Sequence, residues 1–128
     1  MSATTPPPSR KATLRISQAA HLTLLASSRT RARSPGWLVT RLWDNTRAHE
    51  RHELWTALPA PDHIDLTPVT LYLSPEVYAD LHASSDHYDR SMGWLVSTLV
   101  LGLDHNQRAR LWSTPLPSES PAPMEAAP

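Results

Sequence analysis

The residues of this chain that are best suited to bind an anion are concentrated in its first half. Residues 1–64 carry nine Lys and Arg against four Asp and Glu, whereas residues 65–128 carry three against eight, so the whole chain has no net charge. A net charge of zero argues against a nucleic-acid-binding protein. The uneven distribution leaves two interpretations open: variation on solvated surfaces, or a polyanionic partner that contacts mainly the first half.

No set of residues has the spacing of an active site or a metal site. His49 and His52 do not match the HExxH pattern, which places two histidines one helical turn apart with the glutamate between them. The chain has no Cys, which excludes disulfides and thiolate metal ligands, and its three glycines form no Gly-rich phosphate loop. We therefore predict a protein that is not an enzyme, with no catalytic residue, no metal and no cofactor.

The strongest signal in the chain is an internal repeat, and the two repeated units must position these charged residues. Residues 12–42, ATLRISQAAHLTLLASSRTRARSPGWLVTRL, align without a gap with residues 69–99, VTLYLSPEVYADLHASSDHYDRSMGWLVSTL, and 14 of the 31 paired positions are identical. Ordinary residue frequencies would give roughly two identities by chance. The offset is 57 residues, which indicates that each copy is one supersecondary unit and that the two copies bury their apolar faces together.

Each copy begins with a sequence that is typical of a half-buried strand. Apolar and polar residues alternate over residues 12–16 and again over residues 69–73, and a period of two places them on opposite faces of a strand. A single short strand is not stable alone. We therefore expect the two strands to pair and to bury one common face, formed by Leu14, Ile16, Leu71 and Leu73.

Two helices follow each strand. Ser17 and Ser74 are N-cap residues for first helices that we expect to end near residues 31 and 88. Ser34 and Ser91 begin second helices, which are the most apolar segments and which we predict to form the centre of the core, with Trp37 and Trp94 inside it. The segments AHERHELWTAL and DHNQRARLW come next, and the sequence leaves open whether they continue the second helices or form separate ones.

The repeats define the domain organisation that we predict. Repeat 1 occupies residues 11–57, a linker residues 58–67, and repeat 2 residues 68–114, and together they form one compact domain. Residues 1–10 and 115–128 are rich in Pro and Ser, so we expect disordered tails. Since the longest apolar stretch is too short to span a bilayer and the N-terminus lacks the apolar core of a secretory signal, we expect a cytoplasmic protein without membrane contact.

The order of strand, helix and Ser-capped helix resembles the ribbon–helix–helix DNA-binding family, of the MetJ, Arc and CopG type. The similarity lies in TLRIS followed by RSPGWLV in repeat 1, and in TLYLS followed by RSMGWLV in repeat 2. Family members usually dimerise, with one strand from each chain in an antiparallel ribbon. The resemblance implies a mainly α fold with a short two-stranded antiparallel β ribbon, built here by tandem ribbon–helix–helix repeats as an intramolecular pseudo-dimer.

The resemblance also implies roles for particular residues. The ribbon would enter the major groove of DNA, where its outward side chains would contact base edges. The N-termini of the second helices would bind phosphates through free backbone N–H groups. By position, the base contacts are Lys11, Thr13 and Arg15 in repeat 1 and Thr70 and Tyr72 in repeat 2. By position, the phosphate contacts are Ser34, Gly36, Ser91 and Gly93, joined by Arg31 and Arg33 in the basic run before the second helix.

Repeat 2 departs from this pattern. Tyr72 stands where repeat 1 has Arg15, Pro68 stands where it has Lys11, and the first helix of repeat 2 is acidic. We therefore expect an asymmetric recognition site, or a second repeat that mainly completes the fold. The structural alternatives also stay open: the outward residues would then form a solvated ribbon face, and Ser34 would act as a helix cap alone.

The function that the resemblance implies is that of a sequence-specific DNA-binding protein, a transcriptional regulator or repressor whose partner is double-stranded DNA. A homodimer on adjacent half-sites is a further expectation, through the second helices or the Leu-Trp pairs at residues 54–55 and 111–112. The alternative is a protein-interaction module, or an antitoxin-like protein with a protein partner, that keeps the fold with weak or no DNA binding. The sequence leaves open whether the repeats pair within or between chains.

Overall fold

The computed structural model describes residues 9–57 and 65–114, and this part of the chain is mainly helical, with six helices and a two-stranded antiparallel sheet. In chain order the elements are β1 (Arg10–Ser17), α1 (Gln18–Arg31), α2 (Pro35–Asn45), α3 (Ala48–Thr56), β2 (Leu66–Leu73), α4 (Pro75–Tyr88), α5 (Met92–Gly102) and α6 (His105–Ser113). The predicted first helices and their ends are therefore confirmed. None of these helices is long and apolar enough to cross a membrane.

The two strands pair with each other into one ribbon, as the alternating sequences predict. β1 and β2 are antiparallel, and Thr13 lies opposite Thr70. These two threonines hold equivalent positions in the repeats, so the pairing is symmetric about them. The predicted apolar face is confirmed, because all four of its residues are buried: Leu14, Ile16, Leu71 and Leu73.

The strands extend slightly beyond the repeat boundaries that the sequence indicates. β1 begins at Arg10, within the predicted N-terminal tail of residues 1–10, and β2 begins at Leu66, within the predicted linker of residues 58–67. The rest of that linker and almost all of the two predicted tails lie outside the described residues. The ribbon therefore uses residues that the alignment of the repeats does not include.

Serine side chains begin the first and second helices of both repeats. The side chain of each predicted N-cap accepts a hydrogen bond from a backbone N–H three residues further on, which satisfies one of the open donors of the first turn. The four caps are Ser17, Ser34, Ser74 and Ser91. The first helices also end alike, since Ala32 and Asp89 both adopt a left-handed conformation with φ of 55°. The two repeats therefore share their turn geometry as well as their pattern.

The second helices form the centre of the core, as predicted. Leu38, Leu42, Leu95 and Leu99 are fully buried. Trp94 is also buried, with 9% of its surface exposed. The prediction for Trp37 is only partly right, because its ring is half-buried and packs against the edge of the core. Since Trp37 and Trp94 hold equivalent positions, the two repeats differ in how far they cover this ring.

The segments after the second helices form separate third helices. α2 ends at Asn45 and α3 begins at Ala48, and α5 and α6 are separated at the equivalent place. The indole N–H of Trp55 donates to the carbonyl of Leu95 at 3.2 Å, and that of Trp112 donates to the carbonyl of Leu38 at 3.0 Å. Each third helix is therefore held against the second helix of the other repeat.

Two arginines at equivalent positions close the C-terminal ends of the second helices. Arg51 Nη1 donates to the carbonyls of Trp43 and Thr46, both at 2.6 Å, and Arg108 makes the equivalent pair of bonds at the end of α5. Burial lowers the pKa of both guanidinium groups, but an arginine in a protein stays protonated. These cations thus satisfy carbonyls that the helix ends leave open.

Candidate nucleic-acid interface

The outer face of the ribbon carries every side chain that the sequence assigns to base contact. Lys11, Thr13 and Arg15 are exposed on β1, and Thr70 and Tyr72 are exposed on β2. The strand register brings them together, because Lys11 lies opposite Tyr72, Thr13 opposite Thr70, and Arg15 opposite Pro68. The hydroxyl oxygens of the two threonines are 3.3 Å apart at the centre. We call this surface, formed by the six residues of these three pairs, the ribbon face.

The positive charge of the ribbon lies on strand β1. The sequences of β1 and β2, RKATLRIS and LTPVTLYL, contain Arg10, Lys11 and Arg15 and no acidic residue. No ion pair joins Lys11 or Arg15 to another described residue, while the guanidinium of Arg10 lies 4.7 Å from the ring centroid of Tyr78. Cations without an internal partner on an exposed surface are suited to bind an external anion.

Two glycines bring the second helices directly onto the ribbon. A Cβ on Gly93 would lie 2.0 Å from the carbonyl oxygen of Arg15, and a Cβ on Gly36 would lie 2.3 Å from that of Tyr72. Both glycines are buried, and the close backbone approach that each allows is to a strand. The glycines thereby fix the N-termini of α2 and α5 beside the ribbon face, because only a residue without Cβ fits there.

The N-termini of α2 and α5 point out at the edges of the ribbon with their capping serines exposed. Ser34 and Ser91 each accept a hydrogen bond from the N–H of the tryptophan three residues on, at 3.1 and 3.0 Å. In the first turn of α5, the N–H groups of Met92 and Gly93 have no intrahelical partner, whereas in α2 Pro35 has no N–H and that of Gly36 is left. The dipole of each helix is positive at its N-terminus. Each end therefore has the chemistry of an anion site, and Ser34, Gly36, Ser91 and Gly93 stay predicted phosphate contacts.

An arginine lies beside each of these helix ends. The guanidinium of Arg33 lies 4.6 Å from the ring centroid of Trp37, and that of Arg90 lies 4.4 Å from that of Trp94. Packing on a tryptophan face restricts each side chain, because the ring attracts the cation. Arg90 was missed as a candidate by sequence reasoning, although its identity with Arg33 in the aligned repeats is the signal that could have found it.

An open cleft lies beside each of these helix ends, where the helix meets the ribbon. One cleft, of about 350 Å³, is lined by Ser34, Trp37 and Tyr72, and the other, of about 340 Å³, by Arg15 and Ser91 among others. The two linings share equivalent positions in part, since Arg15 and Tyr72 correspond, as do Ser34 and Ser91. The structure therefore has one cleft on each side of the ribbon face.

Arg31 packs on a third helix. Its guanidinium lies 5.2 Å from the ring centroid of Trp112 on α6, so the residue is engaged between α1 and α6. The sequence grouped Arg31 with Arg33 because they are close along the chain, but α1 ends at Arg31 and the turn that follows separates their directions. Of the two basic residues predicted to contact phosphate, Arg33 packs on Trp37 of α2 and Arg31 packs on Trp112 of α6.

The interface thus offers hydrogen-bond donors, hydroxyl groups and positive charge on one exposed surface. Among residues 9–57 and 65–114, no group of three or more His, Cys, Asp or Glu is placed to hold a metal ion. No protein-family model, no curated protein and no solved structure matches this chain.

Proposed function

We propose that this chain is a sequence-specific DNA-binding protein that acts as a transcriptional regulator. The observation that supports it best is the ribbon face, where Lys11, Thr13 and Arg15 lie exposed and without an acidic neighbour on either strand. A two-stranded ribbon fits the major groove, whose width is about 12 Å. We further propose that the two repeats form a ribbon–helix–helix pseudo-dimer within one chain, a reading supported by the pairing of β1 with β2.

In this proposal the ribbon reads bases and the flanking helices hold the backbone. Arg15 and Lys11 would donate to guanine O6 and N7, and Thr13 and Thr70 would contact adenine, cytosine or the thymine methyl group. The N-termini of α2 and α5 would bind phosphates on the two sides of the groove, since they flank the ribbon through Gly36 and the equivalent Gly93. Arg33 and Arg90 would add charge to each phosphate site.

The recognised sequence would be asymmetric within one module. Around the central Thr13 and Thr70 pair, β1 offers two cations, whereas β2 offers Pro68 and Tyr72 at the matching positions. An arginine that contacts guanine in two places discriminates between bases by about 1–3 kcal/mol, and proline and tyrosine offer no such contact. Because Lys11 and Arg15 lie on either side of the central threonine pair, each opposite an uncharged residue, discrimination would come from the strand of repeat 1 at both ends of the site.

A protein-interaction module is the second candidate function, and the charge of α4 favours it. Glu76, Asp80, Asp86 and Asp89 are all exposed on α4 and at its end, and the whole chain has no net charge. An acidic surface opposes the approach of DNA and suits a basic protein partner. This candidate predicts a folded protein that binds no duplex.

The test is a selection of ligands from random duplexes, followed by titration of the selected duplex at two salt concentrations. Proteins that neutralise several phosphates lose affinity steeply with salt, by about 10³- to 10⁵-fold between 50 and 200 mM when they make 6–10 phosphate contacts. We expect a steep loss here too, together with a preference of at least about a hundredfold for the selected duplex over an unrelated one. A folded protein that enriches no sequence and binds no duplex at 50 mM salt would leave the protein-interaction module as the function.

A further inference from the structure

The two sides of the molecule differ where a first helix meets a third helix. On the α3–α4 side, Asp80 Oδ2 accepts a hydrogen bond from the indole N–H of Trp43 at 2.7 Å and lies 3.5 Å from Arg51 Nη2. Tyr88 packs edge-on against Trp55, with ring centroids 5.1 Å apart, and the Tyr88 hydroxyl lies 2.7 Å from Nδ1 of His52 on α3. A carboxylate and a large ring from α4 therefore cover this side.

The equivalent residues on the α1–α6 side are different. Thr23 stands where the other side has Asp80, and Arg31 stands where it has Tyr88, whereas Arg108 and Trp112 are retained. Arg108 still donates to the end of α5 through Nη1, but no ion pair joins it to another described residue. The one acidic group that acts on its pKa is Asp104, the N-cap of its own helix, whose carboxylate is occupied by the N–H of Gln107.

An open groove results from these replacements, and we call it the α1–α6 groove. It has a volume of about 290 Å³, and its lining has hydroxyl and cationic groups and no carboxylate. The residues that matter here are Thr23, Ser27, Thr30, Arg31, Arg108 and Trp112. The guanidinium of Arg31 lies over the Trp112 ring, and both Arg31 and Arg108 line the groove. Planar guanidinium groups are suited to bind a carboxylate through paired hydrogen bonds.

We infer that the α1–α6 groove binds an acidic segment of a partner protein. An Asp or Glu side chain of that segment would occupy the place that Asp80 occupies on the other side, between Arg108 and Arg31. It would lie beside Thr23, whose hydroxyl donates to the carbonyl of Ala19. The half-exposed carboxylate of Asp80 beside Arg51 provides the template, because the arginine position recurs without it. Trp43, which donates to Asp80, is replaced by Val100, so the arginines are the donors on this side. A regulator with such a groove would bind DNA through the ribbon face and an acidic protein through a separate surface.

The test uses the full chain and two fluorescein-labelled peptides, one alternating Glu with Ala and a matched one alternating Gln with Ala. We expect the Glu peptide to bind in fluorescence polarisation at low salt and the Gln peptide not to bind. Thr23→Asp restores the carboxylate of the other side and should weaken Glu-peptide binding by at least tenfold, whereas the neutral Thr23→Asn should keep it within about twofold. In two-dimensional NMR, the indole N–H signal of Trp112 should shift on addition of the peptide.

Further variants exclude binding at the ribbon face and replace Thr23→Asp if it does not fold. Lys11→Ala/Arg15→Ala should bind the Glu peptide as the unchanged chain does, because the ribbon face is a different surface. If Thr23→Asp does not fold, Arg31→Tyr, which also copies the other side, takes its place. Equal binding by Thr23→Asp and Thr23→Asn, or no Glu-peptide binding by the folded chain, would overturn the proposal. It would also fall if Thr23→Asp weakened duplex binding and left peptide binding unchanged, since the groove would then hold a DNA phosphate.

Discussion

Gly93→Ala is expected to lower the free energy of unfolding by about 3 kcal/mol, and Gly36→Ala by a similar amount, the upper end of the usual range for overpacking. The added Cβ would lie 2.0 Å from the carbonyl oxygen of Arg15 in the first case and 2.3 Å from that of Tyr72 in the second. Both obstacles are backbone atoms of a paired strand, so the helix must move away from the ribbon. For a domain of this size, a loss of 3 kcal/mol corresponds to a decrease in Tm of about 12–24 °C.

Gly102→Ala is the matched control for these variants. Its Cβ would approach Leu54 Cδ2 to 2.8 Å, but the end of a leucine side chain can rotate away. An alanine is also favoured over glycine within a helix by up to about 1 kcal/mol. We therefore expect Gly102→Ala to change the stability by less than about 1 kcal/mol in urea denaturation. Equal stability of Gly93→Ala and Gly102→Ala would contradict the close helix–ribbon contact.

Lys11→Ala/Arg15→Ala is expected to reduce affinity for the selected duplex by about a hundredfold or more. Each side chain would lose a guanine contact worth about 1–3 kcal/mol. Affinity for an unrelated duplex should fall much less, because the phosphate contacts at the helix N-termini remain. Both side chains are exposed, so the fold should be stable in the variant, which circular dichroism can check.

Arg47→Ala controls for the loss of positive charge. Arg47 is exposed at the N-terminus of α3, and only its backbone N–H takes part in the capping contact with Glu50. It follows the C-terminal end of α2, about 16 Å along that helix from the end that meets the ribbon. We expect Arg47→Ala to change affinity for the selected duplex by less than about threefold. A similar loss in Arg47→Ala and in the ribbon variant would mean that general charge, and no base contact, drives binding.

The elements that local sequence determines were predicted, and those that depend on tertiary packing were not. The alternation over residues 12–16 and the serine caps follow from backbone periodicity and hydrogen bonding within a few residues, so the ribbon and the starts of the long helices could be read directly. The break before α3 carries no Pro or Gly. Arg51 donates across this break to the carbonyls of Trp43 and Thr46. No local sequence pattern indicates this contact.

The candidate site shows the same division. The exposure of Lys11, Thr13 and Arg15 follows from the alternation of a strand with one buried face. The position of Arg31 does not, because it depends on Trp112, which is distant along the chain and belongs to the other repeat. The contact of Gly93 with the strand backbone likewise required the packing of one repeat on the other. The aligned repeats also contain a signal that sequence reasoning did not use. Arg33 and Arg90 are identical in the alignment, which indicates a second arginine beside a second-helix N-terminus.

The most direct test of the central claim is to map the DNA contact by NMR with the selected duplex. If the ribbon face reads DNA, the largest changes in amide signals should fall on residues 11–15 and 70–72 and on the first turns of α2 and α5. The signals of α3 and α6 should change little. Changes confined to α3, α6 or the α1–α6 groove, with the ribbon signals unmoved at saturation, would contradict the account.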